Sequence, residues 1–163
     1  MKKFLIILLS VMMLTLTFGC KKEEELQQYS KDGLTISLPK DLKEETLEGF
    51  NYYLYGSNYM FSALKEEFSL FDQLGIDAND TTVEDYGALI QQFNELEEGF
   101  KADGYNNLCI TYTSEVDGTE YFYYTTVRKG TDAFWLVTFS SLNEEKDTYQ
   151  PLFEKWANTI VVE

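Results

Sequence analysis

Twenty-eight carboxylates and no histidine set the limits of the chemistry open to this chain. Without histidine it lacks the commonest general base, the commonest metal ligand and the usual partner of a nucleophilic Ser or Cys. Two carboxylates at the right separation suffice for glycoside hydrolysis, so a carboxylate-based hydrolase is kept as a remote alternative. With so many acids, a pair by itself carries no information. Asp77-Ala78-Asn79-Asp80, followed by Glu84 and Asp85, is the cluster a hard cation such as Ca²⁺ would favour. A calcium loop starting at Asp77 would need Gly where Thr82 stands and Glu where Ala88 stands. The cluster reads instead as a polar loop feeding a helix N-cap. No zinc spacing and no glycine-rich phosphate loop occurs. Metal and cofactor are therefore both assigned as none.

Acylation is the chemistry with a clear address. Lys2 and Lys3 precede an apolar run from Phe4 to Leu16, too short to span a bilayer comfortably. The run ends in Leu16-Thr17-Phe18-Gly19-Cys20, which resembles the lipobox of bacterial lipoproteins, where a small residue precedes the cysteine that receives the lipid. Residues 1–19 are thus expected to be a signal peptide and Cys20 the lipid attachment site. The protein would then be held on the extracytoplasmic face of a bacterial cell membrane. Residues 20–28, with the run Lys21-Lys22-Glu23-Glu24-Glu25, read as a solvated, lipidated tether. The other cysteine, Cys109, falls inside a strand pattern and reads as a small hydrophobe.

The net charge of −15 argues against nucleic acid as a partner, because phosphate binding draws on clustered Lys and Arg, and Arg128 is the only arginine. Hydrophobic residues at 44% and aromatics at 16% argue for a folded core in spite of that charge. The remaining length, residues 29–163, suits one globular domain.

The elements that must position these groups centre on Leu108 to Ser141. Asp117-Gly118 and Gly130-Thr131 mark two hairpin turns between runs rich in Tyr, Phe, Thr and Val. Two-residue turns there place Leu108, Ile110, Tyr112, Tyr121, Tyr123, Val127, Phe134 and Leu136 on one face. Cys109, Thr111, Phe122, Tyr124, Trp135, Val137 and Phe139 fall on the other. Both faces are largely apolar, so cover is expected on both. One covering helix is expected from Thr82 to Leu96, with the stripe Val83, Tyr86, Ile90, Phe93 and Leu96. The second carries Tyr149, Leu152, Phe153, Trp156, Ala157 and Ile160, and Pro151 should confine its start to Asp147 or Thr148. Leu34 to Leu38 alternates as a strand, Ile160 to Val162 suits a short one, and Leu70 to Asp80 reads as an irregular connection.

Phe50 to Phe61 reads as a hairpin around Gly56-Ser57-Asn58. It turns Phe50, Tyr52 and Leu54 to one side and Tyr53 and Tyr55 to the other. Tyrosine offers rigid contact area and a hydroxyl, so Tyr53 and Tyr55 are candidate residues for binding a protein partner. The alternative is that they lie under a loop or pack on the helix that begins at Thr82.

Tyr29-Ser30-Lys31-Asp32-Gly33-Leu34-Thr35-Ile36-Ser37-Leu38-Pro39, and Phe134 to Phe139 leading into Tyr149 to Ile160, resemble the PsbP-like superfamily. It includes the extrinsic photosystem II subunit and many small bacterial proteins of unassigned role. The resemblance implies an α+β fold, an antiparallel sheet covered by helices on both faces as an α/β/α sandwich. It also implies a non-catalytic binding or accessory role. Some bacterial relatives act as chaperones, which makes an extracytoplasmic chaperone-like partner binder the alternative. Metal sites proposed for photosynthetic members have no histidine here to match them. The expected partners are the membrane, through the lipid, and a protein.

Overall fold

The computed structural model describes residues 25–163. The signal-peptide and Cys20 assignments lie outside the described residues. In chain order the strands are β1 (Leu26–Lys31), β2 (Leu34–Pro39), β3 (Lys43–Glu44), β4 (Tyr52–Tyr55), β5 (Tyr59–Glu67), β6 (Lys101–Ala102), β7 (Leu108–Val116), β8 (Thr119–Lys129), β9 (Ala133–Leu142) and β10 (Val161–Val162). Helix α1 (Phe68–Gln73) follows β5, α2 (Val83–Phe93) precedes β6, and α3 (Lys146–Ala157) precedes β10. The large antiparallel sheet has the order β3-β4-β5-β9-β8-β7-β6, and a small one has the order β1-β2-β10. Strand β1 begins at Leu26, so residues 26–28 of the expected tether are paired with β2 instead.

The expected meander is the middle of the large sheet. Val116 faces Thr119 across a two-residue turn in which Asp117 and Gly118 have φ of 51° and 78°. That is the left-handed conformation an Asp-Gly hairpin supplies. The second turn differs from expectation. Lys129 faces Phe134, so four residues rather than two form the connection, closed by the Gly130 N–H donating to the Ala133 carbonyl at 2.8 Å. A Cβ on Gly130 would stand 2.2 Å from the Glu163 carbonyl oxygen, which accepts from the Thr131 N–H at 3.0 Å. The wider turn thus receives the end of β10. Because the change in register is two residues, every side chain keeps its expected face.

The front face carries Trp135, Val137, Phe139, Phe122 and Tyr124, joined by Tyr52, Leu54 and Phe61 from the β4–β5 hairpin. It packs on Leu34, Ile36 and Leu38 of β2 and on Phe153, Trp156 and Ala157 of α3. The small sheet therefore shares the cover with a helix. On the back face Val127 and Phe134 pack with Phe71 of α1 and Tyr86 of α2. Helices thus lie on both faces, as expected.

Four local expectations need correction. Helix α1 occupies part of the stretch read as irregular; at six residues it is too short to show a period, and it forms because the rings of Phe68 and Phe71 each pack, tilted, at 5.2 Å on Phe134. Helix α2 is capped by Thr82 through a reciprocal pair of bonds with Asp85, but it ends at Phe93, which is 73% exposed rather than part of the buried stripe. Phe50 precedes β4 and is exposed, so only Tyr52 and Leu54 of its expected trio are buried. Pro151 lies in the second turn of α3, because a 3₁₀ turn at Asn143–Glu145 leads directly into Lys146. One helical bond is lost there. Burial of Phe153 and Trp156 holds the helix regardless.

Candidate functional site

Cross-strand neighbours share a face, and the register sets out what lies on the back of the sheet beyond α2. One row reads Tyr53, Ser62, Thr138, Thr125, Ile110 from β4 to β7. The next reads Tyr55, Met60, Ser140, Tyr123, Tyr112, and Leu142, Tyr121 and Ser114 follow. Two banks of tyrosine therefore flank a floor of small hydroxyl side chains and Met60. Three strand spacings separate the backbone of Tyr55 from that of Tyr123, about 14 Å at ~4.8 Å per strand. Helices α1 and α2 cover the other end of this face, over Phe134 and Val127. All five tyrosines are partly exposed.

Each bank is braced internally. The rings of Tyr53 and Tyr55 stack at 6.1 Å with planes 24° apart, and the Tyr53 hydroxyl donates to Met60 Sδ at 3.1 Å. Tyr112 and Tyr123 stack at 5.0 Å with planes 10° apart, and Tyr121 leans on Tyr123 at 6.5 Å. Between the banks Thr125 and Thr138 share a hydroxyl hydrogen bond of 2.9 Å. Burial raises the hydroxyl pKa of Tyr53, with Glu45 and Tyr55 adding to it, and burial likewise raises Tyr112 and Tyr123. These groups stay protonated donors at neutral pH. A cleft of about 280 Å³ lies against Tyr53, Tyr55, Tyr121 and Ser140, and another of about 360 Å³ lies against Tyr112, Thr125 and Thr138. Neither is lined by a charged side chain. On a chain with net charge −15 that is a local departure.

Tyr53 and Tyr55 thus stand on the part of the back face that the described residues leave uncovered. The sequence reading missed their association with Tyr112, Tyr121 and Tyr123, which it had placed on a face needing cover. A signal was present: Thr125, Thr138 and Ser140 alternate onto that same face, so its apolar character fails beyond Leu136.

The other polar clusters are structural. Asp77 Oδ1 accepts from the Asn79 N–H at 2.9 Å, and its carbonyl accepts from both the N–H and the hydroxyl of Thr81. These are turn bonds, and among the described residues no group of three potential ligands gathers for a metal. On the front face Tyr124 donates to Asp103 Oδ2 at 2.6 Å and Asn107 donates to the same oxygen at 2.9 Å. Arg128 donates to Asn107 Oδ1 at 2.6 Å, to Thr126 Oγ1 at 2.6 Å and to the Ala157 carbonyl at 3.1 Å. Burial lowers the Arg128 pKa, yet a guanidinium remains charged. It holds the last turn of α3 against the sheet. Cys109 is buried nearby, and burial pushes its thiol up to about 11.

The architecture is therefore α+β, an antiparallel sheet with helices on both faces and one tyrosine-lined end that the described residues leave uncovered. No protein-family model and no curated protein sequence matches this chain. Among solved structures it is similar to the solution structure of cyanobacterial PsbP (CyanoP) from Synechocystis sp. PCC 6803, with 16% identity and a TM-score of 0.52 over 89% of this chain and 96% of that one. This chain has a PsbP-like fold. A crystal structure from Bacteroides thetaiotaomicron VPI-5482 gives 17% identity and a TM-score of 0.46 over 80% of this chain, which spans 45% of that one.

Proposed function

We propose that this protein is a non-catalytic binding or accessory module, anchored by lipid on Cys20 to the extracytoplasmic face of a bacterial membrane. It captures a protein partner on the tyrosine face of its sheet. The supporting observation is the pair of tyrosine banks, Tyr53 with Tyr55 and Tyr112 with Tyr121 and Tyr123, left partly exposed on either side of an uncharged floor. Rigid aromatic side chains give contact area at small entropic cost, and their hydroxyls give direction. Partner-facing patches are depleted in charge at their centres, and this floor meets that description. The want of histidine supports a non-catalytic role.

The test places a photo-cross-linking residue at position 55 or at position 155, an exposed lysine on α3, in the membrane-anchored chain. A discrete adduct from position 55 that position 155 does not give, and that Tyr112→Ser with Tyr123→Ser abolishes, is expected. Equal labelling from both positions would remove the tyrosine face as the partner surface.

A further inference from the structure

Between α1 and α2, next to the cleft against Tyr112, lies a further cavity of about 320 Å³. That is within the range of small-molecule sites, on the order of 300–1,000 Å³. Its walls are apolar: Leu64 and Leu136 from the sheet, Phe71 from α1, and Leu89 and Ile90 from α2. Its rim is apolar as well, and unusually so. Leu70, Leu74 and Phe93 line it while 49%, 67% and 73% exposed, placing three of the largest exposed apolar side chains around one opening. Such a concentration marks a binding site more often than does scattered exposure.

One charged side chain lines this cavity, beside the Tyr86 hydroxyl and the Asn94 amide. Glu66, two residues along β5 from Leu64 and so on the same face, receives the Tyr86 hydroxyl on Oε2 at 2.6 Å. Burial and that bond raise the Tyr86 pKa far above its ordinary value, so tyrosine is the donor and glutamate the acceptor. Among the described residues no lysine or arginine pairs with Glu66. Closing an apolar ligand over it would leave a carboxylate desolvated and without a counter-charge. A ligand bearing its own positive charge relieves that cost, and the acidic chain draws such a ligand in. An anionic amphiphile would meet Glu66 and the net charge of −15 as repulsion.

We propose that the cavity between α1 and α2 binds a small amphipathic cation, with its hydrocarbon tail between Leu64, Leu136 and Ile90 and its protonated amine against Glu66. This site adjoins the tyrosine face, sharing Ile90, Asn94 and Leu136 with the cleft against Tyr112, but its ligand chemistry does not depend on the reading given to that face. The probes are n-octylamine, 1-octanol and octanoate, one tail with three head groups, with ethylamine as the charge without the tail. Titration calorimetry on the full mature chain should show saturable one-to-one binding of n-octylamine. It should be about tenfold tighter than 1-octanol, as a charge-assisted hydrogen bond supplies, with octanoate weaker still. Glu66→Gln should bring n-octylamine and 1-octanol together. Leu70→Ser with Leu74→Ser changes only exposed positions, leaves the core intact, and should weaken both ligands while the thermal midpoint stays near that of the parent. Octanoate binding as tightly as n-octylamine, ethylamine binding equally well, or affinity undiminished by the Leu70/Leu74 pair would each overturn the proposal.

Discussion

The guanidinium of Arg128, on β8, donates to the backbone carbonyl of Ala157 at the end of α3, 3.1 Å away. It is the sequence's only arginine, and it ties the middle of the large sheet to the helix that covers it. A positive charge at a helix C-terminus is favourable, and a planar donor reaches Asn107 and Thr126 at the same time. Arg128→Met leaves these acceptors without their donor and should cost about 2–3 kcal/mol, measured as a lower urea midpoint. Arg128→Lys should recover part of the loss, since one ammonium has three N–H donors for the four acceptors Arg128 meets, the Val127 carbonyl included.

Acid should weaken the same region. Burial alone would raise the Asp103 pKa, but hydrogen bonds from Tyr124, Asn107 and two backbone N–H groups outweigh it and hold the carboxyl below its ordinary value. A depressed folded pKa contributes stability that is present above the unfolded value, about 3.9 for Asp, and is lost as pH falls through the folded value. Asp103→Asn should therefore flatten part of the decline in urea midpoint below about pH 4. An unchanged decline would show that Asp103 does not supply it.

Alkali acts on other groups. Burial, followed by Glu44, raises Tyr52 to about 12, and Tyr86 and Tyr124 rise further, each by burial first and then by a bonded carboxylate. For an acid whose folded pKa is raised, the stabilisation is complete below the unfolded pKa, about 10 for Tyr, and fades as pH climbs toward the folded value. Stability should hold to about pH 10 and then fall. The 295 nm tyrosinate absorbance of Tyr86 and Tyr124 should appear only with unfolding.

Neighbours on β8 should respond in opposite ways. Tyr124 is 0% exposed in the front core, whereas Tyr123 stands on the open face. Tyr124→Ser should cost about 3–5 kcal/mol, the range for removing a buried aromatic ring. Tyr123→Ser, and Tyr53→Ser with Tyr55→Ser, should cost about 1 kcal/mol or less per site, since surface changes are small. Comparable losses on the two faces in chemical denaturation would mean that the tyrosine banks serve the fold.

Cys20→Ala should release the protein from membranes washed at high pH. Retention as firm as in the parent would exclude a lipid anchor at that residue. In this variant Cys109, 5% exposed with its thiol raised to about 11, should resist a thiol reagent until the chain unfolds.

The residues by themselves determined whatever depends on alternation, turn chemistry and helical spacing. Asp117-Gly118 dictated a two-residue turn, Thr82 with Asp85 dictated the start of α2, and the spacing of Phe153 and Trp156 dictated the core side of α3. The separation of the meander into two faces was equally legible, because a pleat repeats every two residues and the turn that differs from expectation does so by an even number. Tertiary contact decided the rest. Helix α1 exists because Phe68 and Phe71 find Phe134, a partner more than sixty positions along the chain. The second turn widened because the Glu163 backbone lies beside Gly130. Tyr53 and Tyr55 meet the other tyrosines across a shared floor because β5 pairs with β9, a long-range choice that no local pattern encodes. The cavity between α1 and α2 has the same origin: where two helices leave space is set by how each docks on the sheet, and that geometry belongs to the assembled fold.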